Sequence, residues 1–269
     1  MGSVAAPAAK QAQVSAFGRQ LKQWRKQRRM SQLDLAVEAE ISPRHLSFIE
    51  TGRSRPKREL VLKLAETLDV PLRETNHLLT AAGLPAVYAE QDYDSHALKV
   101  YREAVSELIN NHAPNPAFVL NRWGDVMHAN PTAYRMLPQD SESGPLNLYE
   151  AYLFSDHWPH IIDNWPEVAW SAYWYLQKDA ERFWGDARMQ SLVERVYDLV
   201  KELPRPAALG ASPSVRTRLN MGGQILETTT MVAHFGPTND VFLSELRVEM
   251  IFPTNPQART FFETLGRET

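Results

Sequence analysis

The chain has 269 residues, a hydrophobic fraction of 43% and a formal charge of −3 at pH 7. That length is more than one typical domain requires, so we expect two domains, and no apolar run approaches the ~20 residues of a transmembrane helix. Cysteine is absent, which excludes disulfides, thiolate metal sites and cysteine nucleophiles, and which fits a reducing, cytoplasmic location.

Charge is distributed unevenly along the chain. Residues 1–83 contain 14 Lys and Arg against 8 Asp and Glu, whereas residues 84–269 contain 15 against 24. The segment ISPRHLSFIETGRSRPKR, residues 41–58, alone holds five Arg and Lys and one His. We therefore expect the first third of the chain to meet an anionic partner and the remainder to stay clear of it.

The first 83 residues divide into a leader and a helical domain. Residues 1–15 are rich in alanine and lack the charged start and apolar block of a secretory signal, so we expect a disordered leader. In residues 16–83 the apolar spacing predicts five short amphipathic helices. The residues expected on their inner sides are Phe17, Leu21, Trp24, Leu33, Leu35, Ala36, Ala39, Leu46, Ile49, Leu60, Leu64, Ala65 and Leu68.

Local signals set the ends of the second and third helices. Ser31 is a good N-cap and Asp34 completes an approximate capping box. Ser42 precedes Pro43, which fits the first turn of a helix, and Gly52 is suited to a left-handed C-terminal cap. Five short helices with a tight connection between the second and third are typical of an all-α helix-turn-helix domain.

This part of the sequence resembles a known family of DNA-binding proteins. The string SQLDLA, followed by ISPRHLSFIETGRSRPKRELVLKLAETLDV, is closely similar to the XRE family, which has the lambda-repressor-like fold. The resemblance covers residues 17–83 and implies double-stranded DNA as the partner. It implies that Pro43, Arg44, Ser47 and Phe48 read bases.

Geometry supports the same assignment. The third helix can enter a major groove only with Leu46 and Ile49 buried, and Arg44 then reaches a guanine edge. By resemblance Gln32 contacts a phosphate and braces the reading residues, while Glu50 is expected to be structural. The full set that we expect to contact DNA bases or phosphates is Gln32, Ser42, Pro43, Arg44, His45, Ser47, Phe48, Thr51, Arg53, Arg55 and Lys57.

After a polar linker, residues 84–94, the pattern changes. A helix over 95–112, with Leu98, Tyr101, Val105 and Leu108 on its inner face, is followed by predicted strands at 117–121 and 126–129 and a helix starting at Asn130. Helices rich in aromatic residues follow, then strands around Gly222–Gly223 and over 240–252, and a closing helix. The predicted fold of residues 95–269 is an α+β domain whose antiparallel sheet has one helix-covered face.

The second domain also resembles known proteins. The hairpin that runs into an Asn-started helix is similar to the opening of a PAS domain. The pieces FVLNRWGDVMHAN, DNWPEVA and HFGPTNDVFLSELRVEMIFP resemble the ligand-binding domain of MmyB-like regulators. That resemblance implies a transcription factor whose PAS-like domain holds a fatty-acid-like molecule.

Such a ligand needs an apolar pocket with one or two polar groups near its mouth. Asn164 and Trp165, from the DNWPEVA segment, are the first candidates for ligand contacts. Arg122, Trp123, Tyr134 and Trp170 come second. The alternative, that each of them is a packing residue, stays open.

Other chemistry is disfavoured by the sequence. His157 and His160 have helical spacing, but no third metal ligand is evident beyond Asp156 and Asp163, so we expect no metal. No Gly-rich phosphate loop and no nucleophile elbow is present, so we expect no enzyme. The expected cofactor set is therefore none, apart from a bound fatty acid as effector.

The sequence thus predicts a ligand-responsive transcription regulator that acts as a homodimer on a near-palindromic operator and has no membrane partner. Two alternatives stay open. In one, residues 84–269 form a ligand-free dimerisation or protein-interaction module. In the other, the second domain is an enzyme that the helical domain merely localises.

Overall fold

The structure is a computed structural model that describes residues 15–137, 146–183, 185–206 and 215–267. It divides into two compact units, the first ending at Ala89 and the second beginning at Glu90, a division that falls within the predicted linker. Apart from Ser15, the predicted leader lies outside the described residues. No helix in the described ranges is both long enough and apolar enough to cross a bilayer.

The described part of the first unit consists of five helices, as the sequence predicts. They are α1 (Ala16–Gln27), α2 (Gln32–Glu38), α3 (Pro43–Glu50), α4 (Arg58–Thr67) and α5 (Leu72–Ala81). The side chain of Ser31 accepts a hydrogen bond from the Asp34 backbone, and the Asp34 side chain accepts one from Ser31, so the capping box is confirmed. Ser42 caps α3 through the His45 amide, and Gly52 follows with φ of +77°.

The core of this unit departs from the prediction at two positions. Leu33 is 59% exposed, because it lies ~110° around α2 from the centre of the buried side at 100° per residue. In α4 Val61 is fully buried and lies at the centre of the inner face, whereas the predicted core residue Leu60 lies at its edge and is half-buried. The other predicted core positions are buried.

A glycine allows α1 and α3 to pack closely. A Cβ atom added to Gly18 would lie 2.5 Å from the carbonyl oxygen of Glu50, which is too short for any real contact. The C-terminal end of α3 therefore approaches the α1 backbone directly. A larger residue at position 18 would force α1 and α3 apart.

The second unit combines five strands with eight helices in its described residues. The strands are β1 (Ala117–Leu120), β2 (Val126–Ala129), β3 (Thr217–Met221), β4 (Gln224–His234) and β5 (Arg247–Pro253). The helices are α6 (Lys99–Asn111), α7 (Pro131–Arg135), α8 (Leu148–Leu153), α9 (Trp158–Ile161), α10 (Trp165–Arg182), α11 (Ala187–Val200), α12 (Val241–Glu245) and α13 (Pro256–Arg267).

The strands form one antiparallel sheet in the order β2-β1-β5-β4-β3, which confirms the α+β class. Gly222 and Gly223 connect β3 to β4 with φ of +62° and +90°, as a two-residue hairpin requires. Asn130 caps α7 through the Ala133 amide and also donates to the carbonyl groups of Ile109 and Asn115. It thereby ties the hairpin to the end of α6.

Both faces of the sheet are covered, whereas the sequence predicts one covered face. On one side Val248 and Met250 of β5 pack with α6 residues Val105 and Ile109. Strand alternation sends the neighbouring residues of β5 to the other face, where α7, α8, α10 and α13 lie. The second face carries the cavity described below.

Two predicted elements differ in detail. Residues 240–245 form the end of a loop and α12 rather than a strand, because the Asp240 side chain accepts a hydrogen bond from the Leu243 amide and starts a helix. In α6 the buried residues are Val105 and Ile109, while Tyr101 and Leu108 are exposed. Leu98 is buried as predicted, but it lies in a 3-10 turn before α6.

Candidate functional site

The third helix presents its N-terminal end to solvent. Ser42, Pro43 and Arg44 are exposed, while Leu46 and Ile49 on the opposite side are completely buried. Among the remaining predicted base-reading residues, His45, Ser47 and Phe48 are half-buried. This is the orientation that a recognition helix needs, because its first turn must reach base edges while its other face holds the domain together.

Phe48 positions two of the predicted DNA-contacting arginines. The guanidinium carbons of Arg44 and Arg53 lie 5.3 and 5.8 Å from the centre of its ring. The Arg53 amide also donates a hydrogen bond to the Phe48 carbonyl at 2.8 Å. Phe48 thus holds one cation from the first turn of α3 and one from the segment after α3 through cation–π contacts.

A buried carboxylate holds α1, α2 and α3 together. Glu50 accepts hydrogen bonds from Arg25 Nε at 2.6 Å and Arg25 Nη2 at 3.0 Å, and a third from Gln32 Nε2 at 2.6 Å. Arg25 Nη1 donates to the Met30 carbonyl at 2.9 Å. Gln32 therefore braces α3 through Glu50, and its predicted phosphate contact stays a prediction. Glu50 is structural, as expected.

Several exposed cations lie directly after α3. Arg53, Arg55 and Lys57 are exposed, and the Thr51 hydroxyl donates to the Ser47 carbonyl at 2.7 Å. In contrast, Arg28 donates to the carbonyl groups of Leu68 and Asp69 at the end of α4 and is structural. The surface around α3 therefore carries positive charge that no neighbouring carboxylate of the described residues neutralises by an ion pair.

A cavity of about 430 Å³ lies on the second face of the sheet. That volume falls in the range of small-molecule sites. Its walls come from the sheet and from helices α8, α10 and α13, and its apolar lining includes Phe118, Met136, Leu148, Leu153, Leu219 and Phe262. The lining also includes residues that carry hydroxyl groups: Tyr149, Tyr152, Ser171, Tyr175, Thr217, Thr228 and Thr230.

The sheet places one carboxylate in the floor of this cavity. In the strand register Glu249 of β5 lies between Phe118 of β1 and Val232 of β4, and all three line the cavity. Of the described residues that line it, Glu249 is the only one with a formal charge. An acidic group surrounded by apolar neighbours is costly to bury unless it is paired.

Arg247 supplies that pairing from the edge of the cavity. Its Nε donates to Glu249 Oε1 at 3.0 Å, its Nη2 donates to the Tyr149 hydroxyl at 2.8 Å, and its Nη1 lies 3.6 Å from Asp179. The guanidinium carbon is 5.5 Å from the ring centres of both Tyr149 and Tyr175. Arg247 is therefore buried, engaged on every side and absent from the cavity lining.

Burial keeps the neighbouring phenols protonated. It raises the pKa of Tyr149 well above its ordinary value and that of Tyr175 to about 12, although Arg247 opposes both shifts. Burial also raises the pKa of Asp179, against the opposing effect of Arg247. The polar end of the cavity thus offers hydroxyl groups and a carboxylate.

The six predicted ligand contacts lie elsewhere in the second unit, and none of them lines the cavity. Asn164 links two segments: its Nδ2 donates to the Arg216 carbonyl at 2.8 Å and its Oδ1 accepts from the Arg218 amide at 3.0 Å. Trp165 and Trp170 are buried in the helical core, and Tyr134 is exposed.

The remaining two belong to a buried polar cluster. Arg122 forms ion pairs with Asp186 and Glu245 and lies over the ring of Trp123, whose Nε1 donates to Asp186 at 3.0 Å. Arg122 and Trp123 thus lie in this cluster and not in the cavity lining, and their ligand contact stays a prediction. Glu245 lies in α12 and is buried.

The sequence contains weak signals for the residues that do line the cavity. Alternation along β5 separates Arg247 and Glu249 from the apolar positions, but it does not reveal that the second face is enclosed. Gly124 has φ of +86°, and a Cβ atom there would lie 2.4 Å from the ring of Tyr149. This glycine therefore makes room for a cavity residue that is distant in sequence.

Metal ligands are not clustered in the described residues. No group of three or more His, Asp or Glu side chains with suitable geometry is found there. His160 lies in α9 and His157 precedes it, and no convergent third ligand joins them in the described part of the chain.

Comparison with known proteins matches both units. The profile of the MmyB-like transcription regulator ligand binding domain matches residues 101–265, and a helix-turn-helix profile matches residues 21–74. A curated relative, the uncharacterized HTH-type transcriptional regulator RghRB of Bacillus subtilis (strain 168), is 38% identical over 79 residues. The aligned segment is 29% of this chain and 55% of that relative, so the match spans about half of the relative's length.

Proposed function

The chain belongs to the MmyB-like transcription regulators, with a helix-turn-helix domain ahead of the ligand-binding domain. On this basis we propose that the first unit binds DNA and that the second unit binds a small apolar molecule, which alters the affinity of the first unit for DNA. Catalysis has no part in the proposal. A regulator of this kind acts in the compartment that holds the DNA, which fits the cytoplasmic location that the sequence predicts.

Helix α3 enters the major groove in this proposal. Arg44 is exposed on its first turn and is held by Phe48, so it can donate two hydrogen bonds to a guanine. Arg53, Arg55 and Lys57 contact phosphates, which makes the affinity for DNA fall with salt. The buried Glu50 holds the helix without adding negative charge to the surface.

The single observation that carries the ligand proposal is the predominantly apolar cavity of about 430 Å³. A lipid-like chain fits its lining, since each buried methylene contributes about 0.8 kcal/mol. A fatty acid, which the family resemblance implies, shares this apolar body. The head group is a separate question, which the next subsection takes up.

We propose that two copies act together on a near-palindromic operator, with half-sites about one helical turn apart. An exposed apolar stripe on α6 supports self-association: Val100, Tyr101 and Leu108 are all more than two-fifths exposed. The same stripe also favours a second candidate, in which the second unit is a ligand-free interaction module. The two candidates differ in whether the cavity takes a ligand.

The DNA proposal is tested by selecting duplexes from a random pool with the full-length chain. Selected duplexes should contain inverted repeats, and the affinity for them should fall steeply between low and physiological salt. Recovery of unrelated sequences with no salt dependence would contradict a DNA-binding role.

The cavity is tested by native mass spectrometry and organic extraction of the purified chain, together with binding of the neutral dye Nile red. Ala172 lines the cavity, so Ala172→Trp should abolish dye binding. Ala187→Trp, the same change at an exposed position of α11, should leave it intact. Equal dye binding by both variants would favour the ligand-free module.

A further inference from the structure

The cavity residues carry information about the head group of the ligand, beyond its apolar body. Glu249 is the only charged residue among the described residues that line it, and its side chain is 17% exposed. Lys, Arg and His are absent from that described lining. The cavity therefore presents negative charge to whatever enters it.

The nearest cation does not offset this arrangement. Arg247 is buried, and it faces two carboxylates, Glu249 and Asp179, as well as the Tyr149 hydroxyl. An incoming carboxylate would be a third anion beside one guanidinium. Arg182 also acts electrostatically on Asp179, but it is an exposed residue outside the cavity lining, and water screens an exposed charge.

Glu249 also keeps acceptor capacity. Oε1 accepts from Arg247 Nε, while no described residue donates a hydrogen bond to Oε2. A carboxylate has about four lone-pair sites and no donor, so its remaining capacity is met only by a donor. The neighbouring tyrosine and threonine hydroxyls pair with either kind of head group and do not discriminate between them.

We propose that the cavity takes an amphiphile whose head group is uncharged or cationic and donates hydrogen bonds, such as a long-chain alcohol or amine, and that Glu249 receives that head group. This inference rests on the proposed function, since it requires a ligand in the cavity. Among an alcohol, an amine and an ionised carboxylate on the same chain, we expect the carboxylate to bind most weakly. The reason is that like charges in a partly desolvated site repel.

The test compares three ligands with the same ten-carbon chain: decylamine, decanol and decanoate. Displacement of Nile red from the full-length chain is measured at about pH 8, where the carboxylate is ionised and a primary amine is cationic. An alcohol enters any apolar cavity more readily than a carboxylate does. The decisive quantity is therefore the change in the affinity ratio when Glu249 loses its charge.

The wild type should bind decylamine and decanol at least about tenfold more tightly than decanoate. In Glu249→Gln the decylamine-to-decanoate ratio should fall by about tenfold, since the variant removes the attraction for one ligand and the repulsion of the other. Glu107→Gln, the same charge change at an exposed position of α6, should leave the ratio unchanged. An unchanged ratio in Glu249→Gln would overturn the inference.

A second comparison needs no variant. Decyltrimethylammonium keeps the positive charge of decylamine but has no N–H donor, so it should bind at least about tenfold more weakly. Equal binding would overturn the role of Glu249 as acceptor. If Nile red and all of these ligands fail to bind, the proposed function itself is contradicted, which is a different outcome from binding with the opposite preference.

Discussion

Each unit of the molecule contains a glutamate beside a buried arginine, Glu50 with Arg25 and Glu249 with Arg247, and the two pairs are built differently. Glu50 accepts three hydrogen bonds, two from Arg25 and one from Gln32, and its side chain is 2% exposed. Glu249 accepts one hydrogen bond, from an arginine that it shares with Asp179 and Tyr149, and it lines a cavity. The hydrogen bonds that Glu50 accepts all come from the protein and engage both of its oxygens. Glu249 can still accept hydrogen bonds from a ligand.

The difference shows how similar residues come to serve different purposes. A fully paired buried ion fixes the geometry around it, because losing any partner leaves an uncompensated charge. A partly buried ion with unused hydrogen-bonding capacity is expected at a site where a ligand supplies the missing hydrogen bonds. In this chain the first arrangement orients the recognition helix, and we infer that the second selects a head group.

The largest effect is expected from Glu50→Gln. The substitution leaves Arg25 buried without its counter-charge, so the first unit should lose about 3–5 kcal/mol of stability. Hydrogen exchange of amides in α1 to α3 of the full-length chain measures this loss. Glu38→Gln, at an exposed position of α2, is the matched control and should change little. A loss below about 1 kcal/mol would show that the pair contributes little net stability.

Gly124→Ala should disturb the cavity unit next most strongly. The substitution places a Cβ atom 2.4 Å from the ring of Tyr149 at a residue with φ of +86°, so we expect a loss of about 1–3 kcal/mol. Because Tyr149 lines the cavity, Nile red affinity should fall as well. Gly223→Ala has a similar positive φ but no atom within 4 Å, so it separates backbone strain from the clash. Equal effects of both changes on dye binding would argue against the clash.

Arg44→Ala should change DNA recognition without changing stability. Arg44 is exposed, so the fold does not depend on it, but discrimination at one base pair should weaken by about 1–3 kcal/mol. Competition between duplexes that differ at single positions measures this. Lys57→Ala should instead weaken binding to all sequences and reduce the salt slope by about one. Unchanged base preference in Arg44→Ala would remove that residue from the reading role.

Glu249→Gln should destabilise the second unit by only about 1 kcal/mol or less, far less than Glu50→Gln destabilises the first, because Arg247 keeps Asp179 and Tyr149 as partners. Thermal unfolding of the second unit, compared with Glu107→Gln, measures it. A loss as large as that of Glu50→Gln would mean that the two glutamates are equivalent, and the contrast between them would fail.

The sequence predicts the first unit in detail and the second only in outline. Helix caps at Ser31 and Ser42 and the exposed turn at Arg44 are local features, and local features are readable from neighbouring residues. The sequence shows that Phe48 lies between Arg44 and Arg53 along the chain. The contact between Arg53 and the Phe48 ring also depends on the turn after α3, which the sequence does not specify. Gln32 and Glu50 are eighteen positions apart, so their hydrogen bond required the fold.

The cavity is a product of tertiary structure. Tyr149 and Arg247 are 98 residues apart in sequence, and no periodicity connects them. The aromatic segment predicts that some rings line a cavity without indicating which ones face it, so Trp165 and Trp170 were assigned to the ligand although both are core residues. Asn164 is a candidate ligand donor because it belongs to the DNWPEVA segment, whereas in the structure its side-chain amide is bonded to backbone atoms of residues 216 and 218.

The most direct test of the account is the affinity of the full-length chain for a selected duplex, measured with the cavity saturated by decylamine and without it. Since an effector acts only through its differential affinity for two states, coupling of 1–3 kcal/mol should change DNA affinity by about 5-fold or more, and Ala172→Trp should abolish the change. If decylamine is bound and the DNA affinity stays the same, the cavity does not control the DNA-binding unit.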